Sequence, residues 1–376
     1  MSLIYMKKIP FLRPNLVKHG TFLNYLSQID QSRIYSNYGP LNTLFENRIL
    51  NEHFGNIGDV TTVNNATTGL MLAISQCKRP NGIYALMPSF TFSATPLAAI
   101  WCGLEPYFID IDPDDWCINE QLINEVLYKL GDKVAVVVPY ATFGIHLNID
   151  YYQRLVASGV PVVIDAASSF GNTGKSGHFG KGFLGSVVFS FHATKSFGLG
   201  EGGLIYSANK NLIASIRQAG NFGFSMKRET TVQGLNSKMS EYTAAIALST
   251  LDAFPKKAKL RQQIRQWYVN KFNLLNLHNE GWTLQNTDDN IIYQFLPVLC
   301  PEGSRNLDYV NLLAHQQIEA RTYFSPACHE QSLFQSYSHT ALSVTDNIAT
   351  RILSLPVWEE MDEEDVTHVL RGLIKR

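Results

Sequence analysis

With 376 residues, 45% of them hydrophobic, and a formal net charge of −1, the chain can build a sizeable core and has no basic excess to draw it to nucleic acid or anionic lipid. No segment approaches the roughly 18 apolar residues of a membrane helix, and "MSLIYMKKIPFLRPNL" lacks the uninterrupted apolar core and cleavage site of a signal peptide, so a soluble, cytoplasmic protein is expected. Its five cysteines (Cys77, Cys102, Cys117, Cys300, Cys328) are odd in number and never two residues apart, and its ten histidines show no ligand spacing, so reduced thiols are expected and a metal is not.

Through the first two thirds, short β-rich runs alternate with helical stretches, the pattern of an α/β domain with a largely parallel sheet. "DVTTVNN" predicts a strand and "ATTGLMLAISQC" the helix after it; "GIYALMPS" predicts the next strand, with "SATPLAAIWCG" as its helix. "EPYFIDI", "KVAVVVPYA" and "VPVVIDA" are further strands, the last two nearly continuous apolar runs, as when both faces are buried. From residue 183 the pattern changes: "FLGSVVFSF" and "GGLIYSA" are strands with no helix between them. "MSEYTAAIALSTLDAF" and "KKAKLRQQIRQWYVNKFNLLN" then predict two helices, the second charged and amphipathic. Beyond them the chain is α+β in character, with "NIIYQFLPVLC" a strand and "DEEDVTHVLRGLI" a closing helix. A boundary near 250 divides a large domain, 1–250, from a small C-terminal one, 251–376.

In open α/β sheets, ligands bind beyond the carboxyl ends of the strands, and several polar residues fall there. Asp165 directly follows a buried strand, where an unpaired carboxylate is costly and calls for a cation or a strong donor. Thr67 and Thr68 open a helix, where free N–H groups and hydroxyls suit a phosphate; ordinary N-capping accounts for the same residue types. Phe92 lies in the loop after another strand, as core or as a platform for a ring. Lys195, in "FSFHATKSFGLGEGG", stands between an aromatic strand and a glycine-rich turn. Desolvation there lowers its pKa toward the range in which a neutral amine forms a Schiff base. Gly198 to Gly203 formally match G-x-G-x-x-G, but a dinucleotide site needs a helix after the glycines and "LIYSANK" reads as a strand. Lysine, anion cradle, carboxylate and aromatic platform together are what a phosphorylated aldehyde cofactor with a pyridine ring requires.

Taken together, these segments resemble the pyridoxal-phosphate sugar aminotransferases of the DegT/DnrJ/EryC1/StrS group, over nearly the whole chain. "FSFHATKSFGLGEGG" is similar to that family's lysine segment, "VIDAASSFG" to its aspartate segment, "VNNATTGL" to its phosphate segment, and "PSFTFSATPLAAIWCGLEPYFIDIDPDDWCIN" to its ring-stacking stretch. "GLNSKMSEYTAAIAL" resembles the segment whose asparagine reaches the partner subunit's site, and "ARTYFSPACHEQSLF" and "ILSLPVWEEMDEEDV" resemble the C-terminal motifs. The implied fold is the aspartate-aminotransferase-like fold type I: an α/β domain on a large, mixed, mostly parallel sheet, plus a smaller α+β C-terminal domain. The resemblance implies that Lys195 holds pyridoxal 5'-phosphate as a Schiff base, Asp165 pairs with the pyridine nitrogen and Phe92 stacks on the ring. Thr67, Thr68 and Ser190 would bind the phosphate, Asn236 would complete it across a homodimer interface, and His329 would lie on the substrate side. Ser168 stands where the family has a glutamine, leaving that cofactor contact open, and "PYATFG" stands where the family has a histidine-containing turn, so contacts at Tyr140 and Thr142 do not carry over.

The implied reaction moves an amino group from L-glutamate to a nucleotide-linked keto sugar. A dTDP-4-keto-6-deoxyhexose destined for bacterial surface polysaccharide such as the O-antigen of lipopolysaccharide is the leading substrate, and a 3-keto sugar nucleotide the alternative. Deoxysugar dehydratases of the same fold carry histidine in place of the lysine, so Lys195 favours transamination. A cofactor-binding module without chemistry is a further alternative.

Overall fold

Two helices come first in the computed structural model, which describes residues 7–175, 177–287 and 290–374: α1 (Leu23–Ser32) and α2 (Pro40–Phe54). Strands and helices then alternate as β1 (Asp59–Val63), α3 (Ala66–Cys77), β2 (Tyr84–Pro88), α4 (Ala94–Trp101), β3 (Glu105–Ile109), α5 (Glu120–Leu130), β4 (Val134–Val137), α6 (Ile149–Ala157) and β5 (Val163–Asp165). A small ribbon, β6 (Thr173–Gly174) and β7 (Gly177–His178), precedes β8 (Ser186–Ser190), β9 (Gly203–Ser207) and α7 (Lys210–Ala219).

Every residue of β4, β5, β8 and β9 is buried, which is why these segments read as continuous apolar runs rather than alternations. The strands pair in the orders β1-β9-β8-β5 and β3-β2-β4, and parallel bridges Val137–Val162 and Tyr140–Asp165 join the two groups. The result is one seven-stranded sheet in which only β9 runs antiparallel to its neighbours β8 and β1. The carboxyl ends of β1, β2, β3, β4, β5 and β8 therefore open on the same edge. This is the mixed, mostly parallel sheet expected.

One expectation is corrected. The two helices read over 239–254 and 256–276 are a single helix of 34 residues, α8 (Glu241–Leu274), with Pro255 inside it. A proline removes one helical hydrogen bond and disfavours continuation. Here burial on either side, by Leu251 and Phe254 before it and Arg261 and Ile264 after it, holds the axis through the interruption. The change from apolar to charged composition marks where the helix emerges from under α2, not where it ends. After it come β10 (Thr283–Leu284), β11 (Phe295–Leu299), α9 (Asn306–His315), α10 (Ser343–Arg351), β12 (Ile352–Pro356) and α11 (Glu363–Gly372), with β10, β11 and β12 in one antiparallel sheet. The boundary expected after residue 250 falls within α8. We keep the division at 250/251 as a proposal supported by the sheets, none of which draws strands from both sides of it.

A strap ties the N-terminal segment to the C-terminal half. At the N-terminus, Ile9 pairs with Ile318, the Phe11 N–H donates to Glu319, and Trp358 Nε1 donates to the Pro10 carbonyl at 3.1 Å. Inside the C-terminal half, Arg261 of α8 donates to Glu359 at 2.7 Å and to the carbonyls of Tyr293, Gln294 and Val357, both charged side chains being 4% exposed. Without Arg261 the buried Glu359 would keep only Lys257, 3.4 Å away, and the three carbonyls would lose this donor, at a cost of roughly 3 kcal/mol. Arg261→Met is therefore expected to lower the unfolding free energy by about that amount, read from the urea midpoint; a change below about 0.5 kcal/mol would refute the assignment.

Candidate active site

At the carboxyl edge of the sheet lies a cavity of about 660 Å³, lined from both halves of the chain. Asp165, the last residue of β5, is buried on its floor. Its Oδ2 accepts from Thr95 Oγ1 at 2.6 Å and its Oδ1 from the Ala167 N–H at 3.2 Å. Burial pushes the carboxyl pKa up, while Thr95, Ala167 and the nearby Lys195 oppose that shift. A carboxylate so placed favours a protonated ring nitrogen as its partner.

Lys195 follows β8 in a tight loop closed by Leu199 N–H to the Phe191 carbonyl and by Ala193 N–H to the Gly200 carbonyl. Glycine is required twice here: a Cβ at Gly198 would meet the Ala193 carbonyl oxygen at 2.5 Å, and Gly200 has φ of +106°. The glycines serve this turn, and Gly203 opens strand β9 instead of a helix, so the G-x-G-x-x-G match is no dinucleotide fingerprint. Lys195 is half-buried, its amine 3.0 Å from Ser168 Oγ and 3.1 Å from Gln294 Oε1. Burial lowers its pKa to about 8 against the opposing pull of Asp165.

The opposite wall is the start of α3. Asn65 caps it by accepting from the Thr68 N–H at 2.9 Å, while the first-turn N–H groups of Ala66 and Thr67 have no intrahelical acceptor and lie at the cavity. Capping and anion binding thus coexist, on different donors. The Thr68 hydroxyl is already engaged by Asn64, Asn65 and Ser237, so Thr67 is the freer of the two. Ser190 ends β8 beside them, and behind the helix start Gly203 has no room for a side chain, since a Cβ there would meet the Phe189 carbonyl oxygen and Val63 at 2.9 Å and the Ala66 nitrogen at 3.1 Å. A compact cradle of N–H groups and hydroxyls at a helix N-terminus suits a phosphate. Phe92 is 57% exposed and presents its ring at the rim, so it is not a core residue.

Thus Thr67, Thr68, Phe92, Asp165, Ser168, Ser190 and Lys195 share one cavity. Asn236 is exposed, pairs with Asn221 and does not line this chain's cavity, although the adjacent Ser237 docks on Thr68. His329 does not line it either. Its Nδ1 lies 2.7 Å from Ser89 Oγ and its Nε2 3.1 Å from Asp346 Oδ1, so it bridges the loop after β2 to α10. Sequence reading missed Thr95, Gln294 and the apolar wall of Leu12, Phe295, Tyr323 and Phe324. Among the described residues, no group of three or more histidine, cysteine, aspartate or glutamate side chains could hold a metal ion, and no helix is long and apolar enough to cross a membrane. All five cysteines are free.

A phosphate cradle, an aromatic rim, a buried carboxylate and a depressed lysine around one space fit pyridoxal 5'-phosphate in donor chemistry. The model of the DegT/DnrJ/EryC1/StrS aminotransferase family matches residues 18–374. A solved structure from Bacillus cereus ATCC 10987, provisionally assigned as a PLP-dependent aminotransferase, superposes with a TM-score of 0.96 at 51% identity, covering 98% of this chain and 100% of that one. DesI, solved in the presence of its TDP-sugar product, gives a TM-score of 0.87 at 30% identity over 97% of this chain and 92% of its own. The Escherichia coli dTDP-4-amino-4,6-dideoxy-D-glucose transaminase is 29% identical over 380 residues, covering 98% of each chain.

The depressed lysine has a thermodynamic signature. Between pH 8 and 10.5 the unfolded chain binds a proton at residue 195 that the native chain does not, so stability rises with pH across that window. Relative to Lys195→Met, the cofactor-free native protein is expected to gain at most roughly 3 kcal/mol between pH 7.5 and 10.5. A flat difference in denaturation midpoints across that range would refute the shift.

Proposed function

The chain belongs to the DegT/DnrJ/EryC1/StrS aminotransferase family, and we propose that it moves an amino group from L-glutamate to a dTDP-linked 4-keto-6-deoxyhexose, yielding an amino sugar for bacterial surface polysaccharide such as O-antigen. The observation that carries this reading is Lys195 Nζ, set in one cavity with Asp165 and facing the first turn of α3. The TDP-sugar product of DesI and the dTDP-sugar of the E. coli transaminase support the nucleotide and the deoxyhexose.

Bound in this cavity, pyridoxal phosphate supplies an aldehyde that takes up and gives back an amino group, and a ring that disperses carbanion charge. The protein's residues divide the remaining work. Thr67, Thr68, Ser190 and the first-turn N–H groups of α3 hold the phosphate, and Phe92 covers one face of the ring. Asp165 keeps a proton on the ring nitrogen, so that negative charge can be accepted there. Lys195 Nζ would hold the cofactor and, as the free amine, would take the proton from the donor's α-carbon and later give it up. With its pKa lowered to about 8, roughly a fifth of that amine is neutral at pH 7.4, against under about a thousandth for an ordinary lysine, and the neutral form is the base. In a homodimer, Asn236 of a second copy completes the phosphate site; in this chain Asn236 stands exposed one residue from Ser237, which already touches the cradle.

The test is a half-reaction. The enzyme is converted to its amino form with glutamate and freed of the donor, and keto-sugar nucleotides are then added singly while the cofactor absorbance is followed. Recovery with a dTDP-4-keto-6-deoxyhexose is expected; recovery only with a 3-keto sugar would move the substrate, and silence from both would overturn the acceptor class. Lys195→Ala is expected to lose at least ~10³-fold in turnover.

A further inference from the structure

Gln294 reaches the cavity from the opposite side to Lys195. It immediately precedes β11 in the C-terminal half and is 8% exposed. Its backbone is fixed, because Arg261 donates to the carbonyls of Tyr293 and Gln294 at 2.8 and 3.3 Å while held by Glu359. Its side-chain oxygen accepts from Lys195 Nζ at 3.1 Å, and Ser168 Oγ accepts from the same nitrogen at 3.0 Å. Both acceptors are uncharged.

The count of donors matters. A neutral primary amine has two N–H bonds and one lone pair, whereas an ammonium has three N–H bonds and no lone pair. Two fixed oxygens match the two N–H bonds of the neutral form, and the third N–H of an ammonium would face the cavity. They also take two of the nitrogen's tetrahedral directions, so the lone pair is left with the remaining one.

We infer that Gln294 is a positioning residue: with Ser168 it engages both N–H bonds of the neutral Lys195 amine and turns the lone pair toward the reacting carbons. This rests on the aminotransferase reading. It assigns Ser168 a partner in Lys195, and it makes the C-terminal half part of the proton-transfer apparatus through Arg261 and Gln294. The obvious alternative is that Gln294 only fills space. The two differ in how substitutions act on the lysine itself.

The experiment follows acetylation of Lys195 by acetic anhydride in the cofactor-free, full-length chain, by peptide mass spectrometry as pH is raised. The native protein should show an inflection near pH 8. Gln294→Glu places a carboxylate beside the amine, favours the ammonium and should raise the inflection by about one unit or more. Gln294→Met keeps the length without an acceptor, and should lower it by about half a unit, because a hydrogen bond to a charged donor is stronger than one to its neutral form. Ser168→Ala, at the other acceptor, should move it in the same direction as Gln294→Met, so the result does not depend on one variant folding. In the cofactor-loaded enzyme, Gln294→Met should slow the single-turnover reaction with glutamate about 10- to 100-fold, with the half-saturating glutamate concentration unchanged within about twofold. Opposite shifts for Glu and Met support the inference; shifts of one sign, or none in any variant, overturn it. If the labelling shifts appear while the native enzyme is unreactive toward glutamate and every other amino donor tried, the pairing stands and the reading of the reaction fails.

Discussion

The half-buried amine of Lys195 is the constraint around which the site is organised. Burial disfavours the cation, the two oxygens nearest the amine carry no formal charge, and the Asp165 carboxylate is engaged by Thr95 and Ala167. Had Asp165 been free to form an ion pair with the lysine, each group would have held the other in its charged state and neither would serve a cofactor. Thr95 thus does more than satisfy a buried oxygen. It keeps the acid and the amine as separate tools.

The sheet makes that separation possible. Six strands deliver their carboxyl ends to one edge, so Asp165, Ser190, the turn before α3 and the loop bearing Phe92 converge from separate parts of the chain. The reversed strand β9 adds a further device. It brings Gly203 to that same edge from the other direction, where a side chain would crowd the helix start. The antiparallel pair β8 and β9 also confines the Lys195 loop to a short connection, which fixes the lysine more tightly than a crossover helix would.

Residues placed by strand ends were legible in the sequence, because apolar runs announce buried strands and the polar residue after each run is exposed to whatever binds there. Asp165, Ser190 and Lys195 were found in this way or by resemblance. The first two helices left no comparable signal: α2 buries Asn42, Glu46 and His53 among Leu41, Phe45, Ile49 and Phe54, so its buried face is not apolar and its periodicity is blurred. Gln294 was hidden for a related reason. Within "NIIYQFLPVLC" it reads as one polar residue in a strand, and only the packing of Arg261 against the chain around it shows where it points. Likewise His329 carries the residue type of a ligand contact, and its position between Ser89 and Asp346 depends on distances along the chain of 240 and 17 residues that no local pattern encodes. The continuous α8 was obscured by a change in solvent exposure that a composition window reads as a break.

The strap at the N-terminus bears on how the molecule is made. Lys7 pairs with Asp365, Pro10 is held by Trp358, and Leu12, two residues on, forms part of the cavity wall. During vectorial synthesis Lys7 therefore waits for Asp365, 358 positions further along the chain. The central sheet can assemble earlier, since all its strands precede residue 208. Until the segment that carries Gln294, Tyr323 and Phe324 is made, however, the cavity lacks that wall and the Lys195 amine lacks its Gln294 partner. The finished cavity thus depends on the meeting of two segments far apart in the chain, the strap that carries Leu12 and the stretch around Trp358.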